Sequence, residues 1–256
     1  MRANDQTPDQ PTNAAADSAT RRNAAEPGHL ERGRSTAAAA NLSYRLGKLR
    51  QHRLPRGRWL DCGCAEGGYS RALIDAGAEY VVGIEVELDR LVSATSAPGD
   101  IAYACAASEY LPFSTASFDG VFLNEVLEHV ADEARTLAEI FRVLRPGGHL
   151  VVMSPNRWFP FEGHGMRIRD RSIDVPIPLL PWLPLALSRR FMRARNYWPG
   201  ELRDLVGSQG FEILASSSVF PMFEYYPWLP RRVVSWYRRA LPMIERTPLV
   251  QHTGVS

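Results

Sequence analysis

The stretch Trp59-Leu60-Asp61-Cys62-Gly63-Cys64-Ala65-Glu66-Gly67-Gly68 carries the clearest chemistry in the chain. An apolar run ends in an acidic residue, passes through small residues and continues into a helical pattern. A ligand reaches the backbone only where side chains are absent, and the first turn of a helix offers free N–H groups and a positive dipole end to an anionic group such as a carboxylate. Gly63-x-Ala65-x-x-Gly68, read as a dinucleotide fingerprint, is a weak match taken alone. Asp61, at the end of the run, tilts the reading towards a ligand that carries an ammonium. Glu85 closes the next apolar run 24 positions later; a carboxylate there accepts both hydroxyl protons of a ribose in nucleotide-binding α/β folds. A solvated strand-end carboxylate is the alternative for Glu85 alone, and the glycine loop at this distance favours the ribose.

These residues need a scaffold that brings strand ends together. Short apolar runs at 59–63, 80–85, 101–105, 118–124 and 149–154 alternate with amphipathic stretches, which predicts β-α units around a mostly parallel, doubly wound sheet. Ala72, Leu73 and Ala76 mark one helix face; Leu137, Ile140, Phe141 and Leu144 mark another. Arg145, Pro146, Gly147 and Gly148 stop the second helix. A further helix is expected at 200–208 with Leu202, Leu205 and Val206 inward, followed by a strand at 211–220.

Three further stretches, Glu109-Tyr110-Leu111-Pro112-Phe113, Ser117-Phe118-Asp119-Gly120-Val121 leading into Asn124-Glu125-Val126-Leu127-Glu128-His129-Val130, and Leu144-Arg145-Pro146-Gly147-Gly148, appear in register with the first two. Together, over about residues 57–155, the sequence resembles the class I S-adenosylmethionine-dependent methyltransferases, in particular the type 11 group. The resemblance implies a Rossmann-like fold and S-adenosyl-L-methionine as cofactor. Asp61, Gly63, Cys64, Ala65 and Gly67 would hold its methionine part, and Glu85 and Val86 its ribose. Ser108 and Glu109, beside Ala107, would line the adenine, and Asn124 and Glu125 would close the pocket beneath the sulfonium. Two positions depart from the pattern: Ala65 replaces the usual middle glycine, acceptable at a negative backbone angle, and Ala107 stands where an Asp commonly meets the adenine amine. Ala107, together with a C-terminus that stops early, makes a catalytically impaired, methyltransferase-like binding protein the alternative function.

Methyl transfer asks for alignment, exclusion of water and sometimes removal of a proton. His164, just past the fifth strand and between Gly163 and Gly165, is the candidate base; His129 is the weaker one, since a structural histidine at a helix start explains it as well. Residues 156–198 read as an insertion forming an acceptor lid in which eight arginines outnumber Glu162, Asp170 and Asp174. The expected organisation is a disordered tail at 1–40, a methyltransferase domain at 41–220 and a basic, aromatic helical tail at 221–256. A small-molecule or amphipathic acceptor methylated on oxygen fits the lid, with peripheral membrane contact through the tail, whose Val233, Trp236 and Tyr237 face away from its arginines. Solvated arginines over a structural cover explain the lid equally well.

A net charge of +2 with 23% charged residues argues against nucleic acid as partner. Three cysteines, Cys62, Cys64 and Cys105, without a secretory leader point to a cytoplasmic protein, and no second Cys/His pair stands at ligand spacing, so no metal is expected. Because no apolar run follows Pro248, the sheet is expected to have six strands, or a damaged seventh, and an exposed edge.

Overall fold

The computed structural model describes residues 36–247 apart from 97, 98, 100, 163, 169, 170, 174–176, 189 and 222–229. Most of the expected tail, Gly163, Arg169, Asp170, Asp174, Arg189, Trp228 and the segment 248–256 lie outside the described residues. Helix α1 (Thr36–Gln51) precedes an alternation of β1 (Arg58–Cys62), α2 (Gly68–Ala76), β2 (Tyr80–Glu85), α3 (Leu88–Thr95) and β3 (Ala102–Cys105), then β4 (Phe118–Asn124), α4 (Glu133–Val143) and β5 (Leu144–Met153). Residues 36–40, assigned to the tail from composition, are thus already helical.

The five strands form one sheet in the order β3-β2-β1-β4-β5, and every pairing is parallel. The chain runs outward from β1 in one direction and returns to its other side with β4, so the order reverses between β1 and β4. A crevice opens at such a point beyond the carboxyl ends of the strands. Both faces are covered, which is why the runs are apolar throughout rather than alternating. Trp59, Val81 and Phe122 pack towards α1 and α2 with Leu46, Leu49, Ala72 and Leu73. Leu60, Cys62, Val82, Ile84, Val121 and Leu123 pack towards α4 and α6 (Pro199–Ser208) with Leu137, Ile140, Val143 and Val206.

Local sequence explains the ends of α4. Asp132 caps it by accepting from the Arg135 backbone N–H at 2.9 Å. Leu144 leaves the helix extended and pairs with Phe118, and the ladder resumes only at His149 beside Gly120, so residues 145–148 loop out. Phe141, expected inside, is half exposed and meets Phe211 edge-on at 5.2 Å. Leu202 and Leu205 pack on the core as expected, with Val206 buried.

The strand expected at 211–220 does not form. The segment carries Ser216, Ser217 and Ser218 and buries only Val219 and Phe220. A cavity of about 1040 Å³, lined by 144–156 and 210–220, lies between it and β5, whereas a ladder needs about 4.7–4.9 Å between strands. Among the described residues the main sheet therefore has five strands, without the expected sixth at 211–220. The lid region contributes two small antiparallel ribbons, β6 (Phe161–Glu162) with β9 (Ile177–Pro178) and β7 (Met166–Ile168) with β8 (Arg171–Ile173), then a 3-10 turn (Leu180–Trp182) and α5 (Leu185–Ser188). The last described helix, α7 (Arg231–Ile244), is tied to α1 by the Tyr44 hydroxyl and the Lys48 ammonium, both on Glu245.

At the centre of the sheet, Trp59 is fully buried and lies against Gly120 of β4, where a Cβ would fall among the indole ring atoms. Gly120→Ala is therefore expected to lower stability by about 1–3 kcal/mol through overpacking. A urea midpoint equal to that of the unmodified chain would show that the indole has room to move.

Candidate active site at the carboxyl edge of the sheet

The loop from β1 to α2 is shaped by close backbone crossings. The Gly63 and Cys64 N–H groups both donate to Ile84 O, at 2.9 and 2.8 Å. Gly63 and Gly67 both take positive φ, and a Cβ would strike Val126 at the first and the Tyr103 hydroxyl at the second. Ala65 also takes a positive φ, +50°. The negative angle that would have made an alanine comfortable here is not adopted, and the left-handed conformation costs roughly 1–2 kcal/mol for a residue with a Cβ. The Ala65 N–H donates to Glu85 Oε2 at 3.0 Å, which helps hold it there.

Glu85 is buried, and its other oxygen accepts from the Val86 and Glu87 N–H groups at 2.8 and 3.2 Å. It thus knits the loop to the end of β2, and a bound ribose would share a carboxylate already oriented by three backbone donors. Asp61 is buried on the α2 side and accepts from the Ser70 hydroxyl at 2.6 Å. Burial pushes its carboxyl up to about 7, Ser70 opposing and Glu85 adding to the rise. Val86 is exposed at the rim. The Ser108 hydroxyl is buried 3.4 Å from both Glu109 Oε2 and Thr136 Oγ1, and Glu109 accepts from the Ala131 N–H at 2.9 Å. Burial also raises the Cys62 and Cys64 thiols, in keeping with their reading as small apolar residues.

Across the loop, at the end of β4, Asn124 and Glu125 receive a side chain that the sequence did not single out. Arg45 of α1 donates to Asn124 Oδ1 at 2.5 Å and pairs with Glu125 Oε1 at 2.8 Å. Glu125 has φ +55°. Burial would raise its carboxyl, but Arg45 and then His164 hold it below the ordinary range. His164 lies over this turn: its Nδ1 is 3.0 Å from Glu162 Oε1 and its Nε2 is 3.9 Å from Glu125 Oε2. Burial pulls the imidazole down, but the Glu162 hydrogen bond and the Glu125 charge more than offset it and leave it above its ordinary value. His129 meets His164 edge-on at 5.2 Å. The two histidines expected near the acceptor therefore share one cluster with Glu125 and Glu128.

Sequence reasoning missed Arg45, Ser70, Glu128 and Glu162 as members of the site. The spacing Glu125-x-x-Glu128-His129 was the available signal for Glu128; Ser70 lies two residues past the glycine loop and Glu162 two before His164, and only Arg45 comes from an element remote in sequence. The lid arginines also read differently in three dimensions. Arg157 is buried, donating to Pro181 O and Leu183 O at 2.7 and 2.6 Å, and Arg195 donates to Val130 O at 2.8 Å. These two fasten the lid to itself and to the domain. The large cavity beside β5 reaches the carboxyl end of that strand at Met153–Asn156, but none of Asp61, Glu85 and Glu125 lines it. The chemistry therefore belongs to the crevice.

The family described as a methyltransferase domain matches residues 60–152. An uncharacterized methyltransferase of Mycobacterium sp. (strain KMS) is 38% identical over 204 residues, covering 73% of this chain and 71% of that protein. A probable S-adenosylmethionine-dependent methyltransferase of Mycolicibacterium smegmatis is 34% identical, over 63% of this chain and 54% of that protein; the chain spans about half the length of this and of a second mycobacterial relative. In structure, an S-adenosylmethionine-dependent methyltransferase from Mesorhizobium loti matches with a TM-score of 0.53 at 24% identity, covering 75% of this chain and 94% of its own, which shows the fold. The extent of the mycobacterial match, on a sheet whose switch point carries the loop and Glu85 where a nucleoside-bearing methyl donor needs them, places this protein in the S-adenosylmethionine-dependent methyltransferase family.

Proposed function

We propose that the protein transfers the methyl group of S-adenosylmethionine to a hydroxyl oxygen of a small-molecule or lipid-like acceptor seated beneath residues 156–198. The observation that carries this reading is the contact of Val126 with Gly63, which sets the donor loop against the turn bearing Glu125, Glu128 and His129, with His164 above it. A donor held by Asp61 and Glu85 thus borders a polar cluster suited to an incoming hydroxyl. The acceptor oxygen forms a bond to the methyl carbon, the carbon–sulfur bond breaks with its electron pair left on sulfur, and S-adenosylhomocysteine departs. The hydroxyl proton is taken up at the cluster containing His164 and His129. A relative from Rhizobium rhizogenes, 29% identical, is named a ubiquinone biosynthesis O-methyltransferase, which supports oxygen as the acceptor atom.

Exposed Trp158, Phe161, Leu179, Trp182 and Leu183 in the lid support an acceptor with an apolar part. Helix α7 supports contact with an anionic membrane surface, although Trp236 does not face away from the arginines as its spacing suggested: Arg231, Arg232 and Arg239 group around it, and Val233 and Met243 are exposed as well. No helix among the described residues is long and apolar enough to cross a membrane.

Three measurements test this reading. Incubation with methyl-labelled donor and pools of apolar and fully water-soluble hydroxyl compounds should label an apolar product by mass spectrometry; label found only in small polar compounds would reject the acceptor class. Calorimetric titration with S-adenosylhomocysteine tests the donor site. The folded state keeps Asp61 protonated up to about 7 against an ordinary 3.8. Its stabilising contribution in the ligand-free protein is therefore full below 3.8 and is lost as pH rises through 7. A ligand ammonium instead needs the carboxylate, so affinity should fall about tenfold per pH unit below 7. Asp61→Asn should flatten the profile, and Glu85→Ala should weaken binding about tenfold or more at every pH; a flat profile in the unmodified chain would remove Asp61 from the site. Finally, the protein should sediment with anionic liposomes, and Arg232→Glu combined with Trp236→Ser should abolish this. Equal sedimentation of the double variant would assign α7 a purely structural role.

A further inference from the structure

The turn after β4 presents Glu125, Glu128 and His129 within five residues, and His164 returns over them from the segment that follows β6. A ligand-type atom from each of Glu128, His129 and His164 lies within 4.8 Å of the other two. Glu128 is the anomalous member. Its side chain is fully enclosed, neither carboxylate oxygen has a hydrogen-bond partner among the described residues, and Oε1 stands 4.0 Å from His129 Nε2. Its neighbours Glu125 and Ser154 supply no neutralising charge. Arg45 feels the Glu128 charge from a distance, but its hydrogen bond and its ion pair go to Asn124 and Glu125. An enclosed carboxylate in this position must carry a proton or meet a cation.

The surroundings orient the donors as a metal site does. Glu162, fully enclosed, accepts from the His164 backbone N–H at 2.9 Å, from Nδ1 at 3.0 Å and from Asn196 Nδ2 at 2.9 Å. It thereby fixes the imidazole with the proton on Nδ1 and turns Nε2 towards Glu125. A carboxylate behind a histidine in this way is the usual support of a metal-bound imidazole. Arg45 likewise holds Glu125 Oε1 and leaves Oε2 on the His164 side.

We propose that Glu128, His129 and His164, with Glu125 Oε2 as a fourth donor, bind one divalent first-row transition-metal cation at the acceptor side of the methyl-donor crevice. Two imidazoles with carboxylates favour Mn²⁺, Fe²⁺, Co²⁺ or Zn²⁺ over the all-oxygen preference of Ca²⁺ and Mg²⁺. Donor-to-metal distances of about 2.0–2.2 Å require the cluster to contract by less than about 1 Å, and His129, 41% exposed, is the member with room to move. Taken with the methyl-transfer reading, on which this part rests, the cation would accept the substrate hydroxyl as an additional ligand and lower its pKa. The proton would leave to solvent at the exposed His129 edge, and the oxygen would attack the methyl carbon as above. The imidazoles would then act as ligands, with no separate base needed.

The test is titration of the chelator-treated full chain with Mn²⁺ and with Co²⁺ by calorimetry, with S-adenosylhomocysteine binding measured in parallel on the same samples. One equivalent of metal should bind. His129→Ala and Glu128→Gln should each weaken Mn²⁺ by about tenfold or more, and Glu162→Gln by about 10–100-fold, while S-adenosylhomocysteine affinity stays within about twofold. If Glu128→Gln does not fold, the exposed His129→Ala decides. A chain that binds S-adenosylhomocysteine but neither metal overturns the proposal, as does unchanged Mn²⁺ affinity in His129→Ala. Metal binding with the expected losses, but no affinity for S-adenosylhomocysteine, supports the cation site and counts against the methyl-transfer reading alone.

Discussion

Five carboxylates, those of Asp61, Glu85, Glu125, Glu128 and Glu162, converge at the carboxyl edge of the sheet. Charges of one sign gathered away from water each need a proton, a donor or a counter-charge, and each of the five is accommodated in its own way. Glu85 takes three backbone N–H groups, Glu162 takes His164 and Asn196, Glu125 takes Arg45, and Asp61 takes the Ser70 hydroxyl with its carboxyl raised to about 7. Glu128 is the exception: neither of its oxygens has a hydrogen-bond partner among the described residues, and burial first, then the Glu125 charge, hold it well above the usual carboxylate range. The arrangement of loop, turn and lid follows from where these partners had to come from.

The same requirement accounts for two of the five left-handed non-glycine residues among those described. Ala65 and Glu125, both non-glycine residues with left-handed backbones, flank the crevice on its two sides, and each is held by a contact that involves a member of the carboxylate set. In the first case Glu85 accepts the strained residue's own N–H; in the second Arg45 grips its side chain. Strain of this kind persists only where surrounding contacts over-determine it, and it concentrates at working sites. Gly63 and Gly67, between them, let Val126 and Tyr103 approach the loop to distances that no Cβ would allow.

The lid is joined to this edge through its own interior rather than by a hydrophobic seam. Arg157 holds the 3-10 turn by two carbonyls and stacks over Trp198, Arg195 reaches back to Val130, and the Tyr197 hydroxyl donates to Leu127 O and Glu133. Residues that composition alone presents as a basic surface are therefore partly internal fastenings, and several aromatic groups of the segment stay exposed. Glu162 belongs to the same logic, since the strand that pairs it with Ile177 also aims His164.

The parallel sheet, the glycine loop after β1 and the placing of Glu85 at the end of β2 were legible in the sequence because each depends on local pattern: apolar runs of strand length, glycines where backbones cross, and an acidic residue at the end of a run. The six-strand expectation failed because propensity at 211–220 cannot report whether a partner edge lies within hydrogen-bonding distance, and a cavity separates it from β5. Phe141 came out half exposed because helical spacing defines a face but not the width of what covers it. Ala65 in a left-handed turn, Arg45 reaching from α1 to the end of β4, and the gathering of Glu125, Glu128, His129 and His164 were decided only by the tertiary structure. Sequence order carries no information on which distant side chains share an enclosed volume, and it is within that volume that charge must be balanced.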